Sequence, residues 1–505
     1  MQSGKGWIDS VKDKFFAPVE LSNWKKEYVN FLEKSGVFII GGRSKLKSGR
    51  MSPVFLDYGK INDGLGTYQI GHFFAQGVQE HFPEETAPIK AIIAPSYKGN
   101  GLSHGTTIAL ALENKRNVHW INDRKEEKAH GEGTDASKGA AGKRIFVGYI
   151  PQDGDNALLL DDVLTTGKAK NEVKEKVDSV AKVNYLGTLL GANRQELDED
   201  GNVAVDEFSK LNKMPVHSLV NVLSEAVPYL SMQGKIDEAT KRRMIGYERT
   251  YGIEDVKKPC RDIRLIDRDK GIIPACDAPI EVFEDVLKAT HDIPQVVAYK
   301  IPAISGRKGW ESWTTLARKY APDKILIYDH QKAGTDIPDT SDEFMRNVKE
   351  AGFDAAIIFP LSGGLTQTEW IRAAFENNLE VLAGGEMTHP GFKVSEGGYI
   401  SDEVLTKMYV RSAKAGVNNL VVPGNKVENS KSYVEAVRKA VPGIKVAAYS
   451  PGLITQLGDI AEVTKNFDLF YGIVGRGILG DPLTEGRYKN VDEMREATFQ
   501  HASKL

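Results

Sequence analysis

Cysteine is scarce in this chain of 505 residues, which contains only Cys260 and Cys276. The two lie sixteen positions apart, whereas small secreted domains are held by several disulfides and zinc modules use closely spaced cysteines. The sequence therefore supports neither a disulfide framework nor a cysteine-based zinc site.

The chain also has little net charge and no long apolar run. Its 66 Lys and Arg residues against 69 Asp and Glu residues give a net charge of −3, so no global basic field attracts nucleic acid or anionic lipid. The first residues, MQSGKGWIDSVKDKFF, lack the apolar stretch of a signal peptide, and no segment is apolar enough to span a bilayer. We expect a cytoplasmic enzyme that acts on small molecules, with neither a nucleic-acid nor a membrane partner.

The second half of the chain shows short apolar runs that alternate with amphipathic segments. Eight such runs, separated by segments with apolar residues at three and four spacing, predict a (β/α)8 TIM barrel. An open doubly wound sheet is the alternative, but the number of strands favours a closed barrel. The runs cover 272–277, 296–301, 324–329, 355–360, 380–387, 418–424, 445–452 and 469–475.

The first half alternates less regularly and predicts an open α/β sheet, with helices over 67–82 and 168–182. Between 124 and 156 no apolar period is visible, which is typical of a functional loop. A polar segment near 255 divides the chain into domains 1–255 and 256–505. The predicted strands are 37–40, 91–95, 118–123, 157–163, 183–190 and 216–221.

The segment ALLLDDVLTTGKAK (157–170) is the strongest single motif. An apolar strand runs into two aspartates, and a Thr-Thr-Gly turn then opens a helix. Backbone amides at the helix start, together with the two hydroxyls, predict a phosphate site. The carboxylates are placed to meet ribose hydroxyls or a divalent metal. The candidate residues are Asp161, Asp162, Thr165, Thr166 and Gly167.

This motif resembles the phosphoribosyl-diphosphate (PRPP) site of type I phosphoribosyltransferases, and three further segments resemble orotate phosphoribosyltransferase. LKSGRMSP (46–53) is similar to its Lys-Ser-Gly-Arg segment, APSYKGNGLS (94–103) to its Pro-x-Tyr-Lys-Gly turn, and RKEEKAHGEG (124–133) to its active-site loop. Taken alone, that charged loop is more typical of a solvated surface. Arg194 matches the family's contact to the orotate carboxylate.

The resemblance implies a type I phosphoribosyltransferase fold that uses Mg²⁺, held mainly through PRPP, with Asp161 and Asp162 as further candidate ligands. It also implies a homodimer or higher homo-oligomer, in which the loop acts on the neighbouring subunit's site. The implied catalytic residues are Lys128 and His130. The implied substrate-binding residues outside the 157–170 motif are Lys47, Tyr97, Lys98, Arg124, Lys125 and Arg194.

Charged residues follow the strand ends of the predicted barrel, where barrel enzymes carry their chemistry. Lys and Asp alternate there, so that each group can stay ionised without a metal. A structural ion-pair network is the alternative. The series consists of Asp277, Lys300, Asp329, Lys332 and Asp336.

This series resembles orotidine 5′-monophosphate decarboxylase. YDHQKAGTDIPD (328–339), GEMTHPG (385–391), SPGLITQLGD (450–459) and IVGRGI (473–478) are similar to four of that family's segments. The resemblance implies that Lys332 protonates the C6 carbanion and that no cofactor is used. It further implies a charged tetrad completed by Lys300, Asp329 and Asp336, the last from a partner subunit, and substrate contacts by Asp277, Thr388, Gln456 and Arg476.

One departure concerns spacing, because the family's Asp-x-Lys-x-x-Asp is here Asp-x-x-Lys-x-x-x-Asp. Residues three apart in a strand lie on opposite faces, so Lys332 must lie on a turn or a bulge. The alternative is a diverged barrel, either a sugar-phosphate lyase or an inactive scaffold. The two resemblances describe consecutive reactions, as in bifunctional uridine 5′-monophosphate synthases: orotate and PRPP give orotidine 5′-monophosphate and diphosphate, and decarboxylation gives uridine 5′-monophosphate.

Overall fold

The computed structural model describes residues 7–46, 48–124, 145–164, 167–198, 200–302, 309–330, 336–453 and 460–505. The chain forms two compact units. The sheet unit comprises Phe16–Ser44 and Ser52–Asp237, and the barrel unit comprises Met1–Phe15, Lys45–Met51 and Glu238–Leu505. No helix among the described residues combines the length and apolarity needed to cross a membrane.

Residues 238–255, which the sequence analysis assigned to the first domain, pack in the barrel unit. Arg249 explains this placement, because its guanidinium is fully buried and forms two hydrogen bonds to the carboxylate of Glu380, at 2.6 and 3.1 Å. It also lies 3.8 Å over the ring of Phe375. A polar composition near 255 therefore reflects buried ion pairs of the barrel unit as much as a linker.

The sheet unit contains a six-stranded sheet in the order β5-β4-β3-β6-β7-β8, together with a separate β1-β2 pair. All neighbours are parallel except β4 and β5. Each of the six predicted strands is present. The elements are α2 (Asn23–Lys34), β1 (Phe38–Lys45), β2 (Met51–Leu56), α3 (Gly64–His81), β3 (Ala91–Ala94), α4 (Lys98–Asn114), β4 (His119–Asp123), β5 (Phe146–Gly148), β6 (Asn156–Val163), α5 (Lys168–Asp178), β7 (Asn184–Asn193), α6 (Ala204–Asn212), β8 (Val216–Asn221) and α7 (Val227–Met232), after α1 (Trp7–Phe15) of the barrel unit.

Strands β2 and β5 were not predicted. Strand β2 contains Pro53, which cannot donate to a strand ladder and therefore argues against a strand in the sequence. Strand β5 has only 3 residues, too few for a visible alternation. The parallel strands β3, β4, β6 and β7 end at one edge of the sheet, and the sequence motifs emerge there.

The barrel unit contains eight parallel strands in the order β10-β11-β12-β13-β14-β15-β16-β9. The ring closes through parallel bridges between Ile272 and Val296 and between Ala275 and Lys300. Each of the eight predicted runs overlaps a strand, so the predicted closed barrel is confirmed and the open sheet was the wrong alternative. The elements are α8 (Glu238–Tyr251), α9 (Glu254–Lys257), β9 (Lys270–Pro274), α10 (Ile280–Thr290), β10 (Ala298–Pro302), α11 (Trp310–Tyr320), β11 (Ile325–Asp329), α12 (Ser341–Glu350), β12 (Ala355–Ile358), α13 (Gly364–Glu376), β13 (Glu380–Gly384), α14 (Asp402–Lys414), β14 (Asn419–Val421), α15 (Val427–Ala440), β15 (Ala447–Ser450), α16 (Ile460–Thr464), β16 (Leu469–Val474), α17 (Arg476–Leu479) and α18 (Val491–Ala502).

Alternate residues of the strands fill the barrel interior. Ala298 on β10 and Ile327 on β11 belong to the interior cluster, which also contains Tyr449 and Tyr471. Because side chains alternate along a strand, Lys300 and Asp329 continue the same inward series. The barrel thus places both charged groups at its carboxyl-terminal mouth.

Candidate active sites

Strand β6 of the sheet unit ends in two buried aspartates. Asp161 forms an ion pair with Lys170, and its Oδ1 accepts a hydrogen bond of 2.9 Å from the Asp162 backbone N–H. Lys170, in the first turn of α5, also donates to the Val163 carbonyl at 2.9 Å. Lys170 therefore joins the start of the helix to the end of the strand across the intervening turn.

Asp162 is the second member of the pair, and it faces cationic and acidic groups from other segments. The Nζ of Lys98 lies 4.0 Å from its Oδ2 and 3.8 Å from Oδ1 of Asp57. Burial, together with the negative charge of Asp161, raises the pKa of Asp162 to about 6. The structure thus brings Lys98 to the acidic pair, as the sequence motifs imply.

Gly167 begins α5 in a left-handed conformation with φ 71°, which glycine adopts without strain. A Cβ at this position would lie 2.6 Å from Cδ2 of Phe208. The turn therefore requires glycine both for its backbone and for its packing. Thr165 and Thr166, the predicted phosphate contacts, lie outside the described residues.

Asp123 and Lys176 join two other motif segments. Asp123 Oδ1 accepts a 2.8 Å hydrogen bond from the Ser96 N–H, and Lys176 Nζ lies 2.6 Å from Asp123 Oδ2. Lys176 also donates to the Arg124 carbonyl at 2.7 Å. Tyr97, the residue after Ser96, is exposed. Of the other predicted residues, Lys47, Lys125, Lys128 and His130 lie outside the described residues.

Arg194 lies just past the end of β7 and is buried. Its Nη2 donates to the Ser52 hydroxyl at 3.1 Å and to the Val54 carbonyl at 3.3 Å, and it pairs with Glu196 at 2.7 Å. The contacts with Ser52 and Val54 bring the end of β7 to strand β2. A substrate carboxylate at this guanidinium would share it with Glu196.

Lys300 is the centre of the charged array in the barrel mouth. Its side chain is buried, forms an ion pair with Asp329, and places Nζ 3.3 Å from Oδ2 of Asp277. Burial by itself lowers the pKa of Lys300, but the negative charges of Asp329 and Asp277 outweigh it and raise that pKa above its ordinary value. The ammonium therefore stays charged, and three of the predicted residues lie together.

Asp336 lies apart from this array among the described residues. Its side chain is exposed, and its Oδ1 accepts a 2.7 Å hydrogen bond from the Ile337 N–H. Lys332 lies outside the described residues, so the turn or bulge predicted for it stays a prediction.

His330 follows Asp329 but faces the other way. Its ring stacks on Trp370 of α13, with centroids 5.1 Å apart, and lies 4.5 Å from Phe344 of α12. Tyr328 packs on Phe344 as well. Since side chains alternate along β11, Tyr328 and His330 lie on the outer, helix-covered face, while Asp329 points inward. The His330 ring therefore faces away from the Lys300 array in the barrel mouth.

The segment after β13 carries Thr388, which is half-buried and whose carbonyl accepts a 2.9 Å hydrogen bond from the side chain of Asn425. Two residues earlier, Glu386 has a fully buried side chain. It accepts hydrogen bonds or ion pairs from four side chains of neighbouring segments: Lys393 at 3.1 Å, Lys426 at 3.0 Å, Tyr433 at 2.8 Å, and Asn429 at 3.1 and 3.2 Å. We call these five residues the Glu386 cluster.

Arg476 begins the short helix α17 after the last barrel strand. Its side chain is half exposed, and Nη1 lies 3.3 Å from Oδ2 of Asp481. This position at a helix start after the eighth strand is the usual phosphate-binding place of barrels. Gln456, the other predicted phosphate contact, lies outside the described residues.

Several residues around both sites were missed by the sequence reasoning. Lys170 and Lys176 lie among other polar residues of a predicted helix. Asp123 is the last residue of β4, and Asp57 follows the unpredicted strand β2, so no motif marked either aspartate. Glu386 had a usable signal, since it stands within the quoted GEMTHPG segment directly after a strand. The additional residues are Asp57, Asp123, Lys170, Lys176, Glu196, Glu386, Lys393 and Lys426.

Comparison with known proteins bears on both halves. Residues 332–490 match the family model "Orotidine 5'-phosphate decarboxylase / HUMPS family". An orotate phosphoribosyltransferase of Pseudomonas fluorescens is 33% identical over 233 residues, which are 46% of this chain and 99% of that protein. An orotate phosphoribosyltransferase of Bifidobacterium animalis subsp. lactis is 34% identical over 198 residues, covering 39% of this chain and 81% of that protein.

A structure of Leishmania donovani UMP synthase is also similar, with a TM-score of 0.32 and 20% identity over 43% of this chain and 40% of that chain. The assignment rests on the sequence relatives of the first half and on the family model matched by the second. The chain therefore belongs to the orotate phosphoribosyltransferase family through its first half, and its second half matches the orotidine 5′-phosphate decarboxylase family, which is the combination of a bifunctional uridine 5′-monophosphate synthase.

Proposed function

We propose that this chain catalyses the last two steps of de novo uridine 5′-monophosphate synthesis, with transferase residues within 1–255 and decarboxylase residues within 256–505. The first step joins orotate to PRPP and releases diphosphate, and the second removes carbon dioxide from orotidine 5′-monophosphate. The observation that carries the proposal is the buried Lys300 array in a barrel that follows, in one chain, a complete orotate phosphoribosyltransferase match.

In the transferase step, N1 of orotate gives up its proton to solvent and bonds to C1 of the phosphoribosyl group, while the C1–oxygen bond breaks and diphosphate leaves with its electron pair. Positive charge develops on the ribose ring and negative charge on the leaving group. Lys98, Arg124 and the predicted loop residues Lys128 and His130 stabilise the leaving charge, and Asp162 holds a ribose hydroxyl. Asp161 has its oxygens bound to Lys170 and to a backbone amide, so its part is to hold the turn.

Magnesium fits this site as an ion carried by PRPP. Among the described residues no group of three His, Cys, Asp or Glu side chains could hold a metal by itself. Asp162 and the diphosphate oxygens of PRPP are the ligands we propose. When bound, Mg²⁺ neutralises the charge of the leaving diphosphate.

In the decarboxylase step, the C6–carboxylate bond breaks and its electron pair stays on C6. Lys332 then gives its proton to C6. Asp329 and Lys300 hold this charge arrangement, and the carboxylate of Asp329 crowds the substrate carboxylate before it leaves. Asp277 contacts the ribose, Thr388 the pyrimidine, and Gln456 and Arg476 the phosphate. No cofactor takes part in this step.

The alternative function is a transferase joined to a diverged barrel, either a sugar-phosphate lyase or an inactive scaffold. The lengthened Asp–Lys–Asp spacing favours it. Lys300 argues against it, because an ammonium buried between Asp277 and Asp329 occupies the place that a metal ion would need beside those carboxylates. The exposed side chain of Asp336 supports a homodimer in which this residue completes the partner's site. We also propose that the enzyme acts in the cytoplasm.

One assay that couples the two reactions and detects each compound by its absorbance after separation tests the proposal. The purified chain receives orotate, PRPP and Mg²⁺, and orotate, orotidine 5′-monophosphate and uridine 5′-monophosphate are separated and measured over time. We expect uridine 5′-monophosphate in an amount equal to the orotate consumed. Accumulation of orotidine 5′-monophosphate would leave only the transferase and favour the diverged barrel, and unconsumed orotate would contradict the proposed first step.

A further inference from the structure

Lys176 lies on the last turn of α5, outside every motif used so far, yet it touches two segments of the transferase site. Its Nζ lies 2.6 Å from Oδ2 of Asp123 and 2.7 Å from the carbonyl oxygen of Arg124. One ammonium thus binds the end of β4 and the first residue of the basic loop. Helix α5 is also the helix that begins at the phosphate turn.

Asp123 extends this contact to a third segment. Its Oδ1 accepts the Ser96 N–H at 2.8 Å, and the Ser96 hydroxyl donates to the Asp123 carbonyl at 2.5 Å. Ser96 directly precedes Tyr97 and Lys98, which carry the second motif. The Asp123 side chain is only 4% exposed, so its charge is held away from water and depends on the Lys176 ammonium.

We infer that Lys176 and Asp123 form a positioning pair, which sets the start of the basic loop at Arg124 relative to the Tyr97–Lys98 turn and the phosphate turn. The inference rests on the proposed transferase function and adds a residue to it. The guanidinium of Arg124 agrees with such a role, because its Nε is buried and has no hydrogen-bond acceptor among the described residues. A buried N–H donor without an acceptor can bind an anionic substrate. The position of the Arg124 backbone then determines where this donor lies.

A purely structural salt bridge would change the stability of the sheet unit and the use of both transferase substrates, whereas a positioning pair changes the use of one substrate. Lys176 touches Arg124, which is proposed to meet PRPP, and it touches no residue proposed to meet the orotate carboxylate. Its loss should therefore raise the KM for PRPP and lower transferase kcat, while the KM for orotate changes little. Thermal unfolding of the sheet unit reports whether the variant is folded there, and decarboxylase activity reports on the barrel unit.

The test compares Lys176→Met with Lys176→Arg and with the control Lys174→Met. Lys174 lies on the same helix and pairs with Asp178 at 2.6 Å near the surface, so its loss removes a similar ion pair without touching the site. We expect Lys176→Met to lower transferase kcat/KM for PRPP about 10- to 100-fold, because small displacements of substrate contacts cost up to about 100-fold in rate. Arg keeps a donor for both partners and should restore most of the loss.

Wild-type transferase activity is measured first, so that its absence would contradict the proposed function and not the pair. With an active wild type, an unchanged kcat/KM for PRPP in Lys176→Met would overturn the inference. It would also be overturned by an equal loss in Lys174→Met, or by an equal loss of decarboxylase activity. A loss that appears only in the KM for orotate would assign Lys176 to the other substrate and would likewise contradict it.

Discussion

The ammonium of Lys300 and the carboxylate of Asp329 form an ion pair in which both side chains are buried, on the neighbouring strands β10 and β11. Lys300→Met should abolish decarboxylation, because it removes the ammonium that balances the negative charges of Asp329 and Asp277 in the barrel mouth. Removing one partner of a buried pair also costs about 3–5 kcal/mol of stability. Decarboxylase assays and thermal unfolding measure the two effects.

The double variant Lys300→Met, Asp329→Asn separates these effects. It removes both charges, so we expect much of the lost stability to return while decarboxylation stays absent. Transferase activity is the control for folding of the sheet unit. If either variant still decarboxylates its substrate, the array is a structural ion-pair network and not part of the catalytic site.

Lys332 should be the proton donor of the decarboxylase in spite of the lengthened spacing. Lys332→Ala lacks the ammonium that would donate a proton to C6. Lys332→Arg carries a guanidinium, which does not release a proton at neutral pH. Both variants should consume orotate and accumulate orotidine 5′-monophosphate, which chromatography of the reaction measures. If Lys332→Ala still decarboxylates, another residue is the proton donor. His330, the histidine nearest to this lysine in sequence, does not qualify, because its ring faces outward against Trp370.

A mixture of Lys332→Ala and Asp336→Asn tests whether Asp336 reaches a partner's site. Each variant alone should be inactive in decarboxylation. If the two residues come from different subunits, mixed dimers contain one intact site, and about a quarter of the sites should be active by random pairing. No recovery after subunit exchange would place Asp336 in its own subunit's site or outside the chemistry.

A chelator should stop the transferase and spare the decarboxylase. Diphosphate leaves with several negative charges, which magnesium neutralises, whereas the Lys300 array holds its charge with protein groups alone. We expect EDTA to prevent orotate consumption and to leave decarboxylation of added orotidine 5′-monophosphate unchanged. Loss of both activities on chelation would contradict the metal-free reading of the barrel.

Lys128→Ala and His130→Ala should lower transferase turnover strongly. Each residue is proposed to stabilise charge that develops on the leaving diphosphate, and the loss of one such donor costs about 2–4 kcal/mol of transition-state stabilisation. Single-turnover kinetics measure the effect, and thermal unfolding should be nearly unchanged. Normal turnover in both variants would make the loop a solvated surface segment.

Glu386→Gln should raise the KM for orotidine 5′-monophosphate. The buried carboxylate of Glu386 holds Lys393 and Lys426 beside the segment that carries Thr388. In Glu386→Gln a neutral amide replaces this carboxylate, so both ammonium groups lose this anionic partner. We expect decarboxylase kcat/KM to fall by up to about 100-fold, as for other small displacements of substrate contacts.

The matched control is Glu380→Gln, at the start of β13, whereas Glu386 follows the end of that strand; the Glu380 carboxylate pairs with Arg249. That variant also removes a buried charge, so it should lose stability without a change in the KM for orotidine 5′-monophosphate. Equal changes in KM for the two variants would mean that Glu386 only stabilises the fold.

Much of the architecture could be predicted because apolar periodicity acts locally. Each of the eight barrel strands is a short apolar run, and closure follows from their number. Strands β2 and β5 escaped prediction because Pro53 and a length of 3 residues remove the local signal. The expected place of residues 238–255 differed because Arg249 finds its partners Glu380 and Phe375 far along the chain.

The sequence by itself determined the chemistry, since the acidic pair, the basic loop and the Lys–Asp series are recognisable as residue types in order. Only the tertiary structure decided which of these groups meet. It paired Asp161 with Lys170, put Lys300 between two aspartates, and turned His330 outward. The physical reason is that charge pairing and burial depend on distances between residues remote in sequence, whereas periodicity and motif spacing report only on neighbours along the chain.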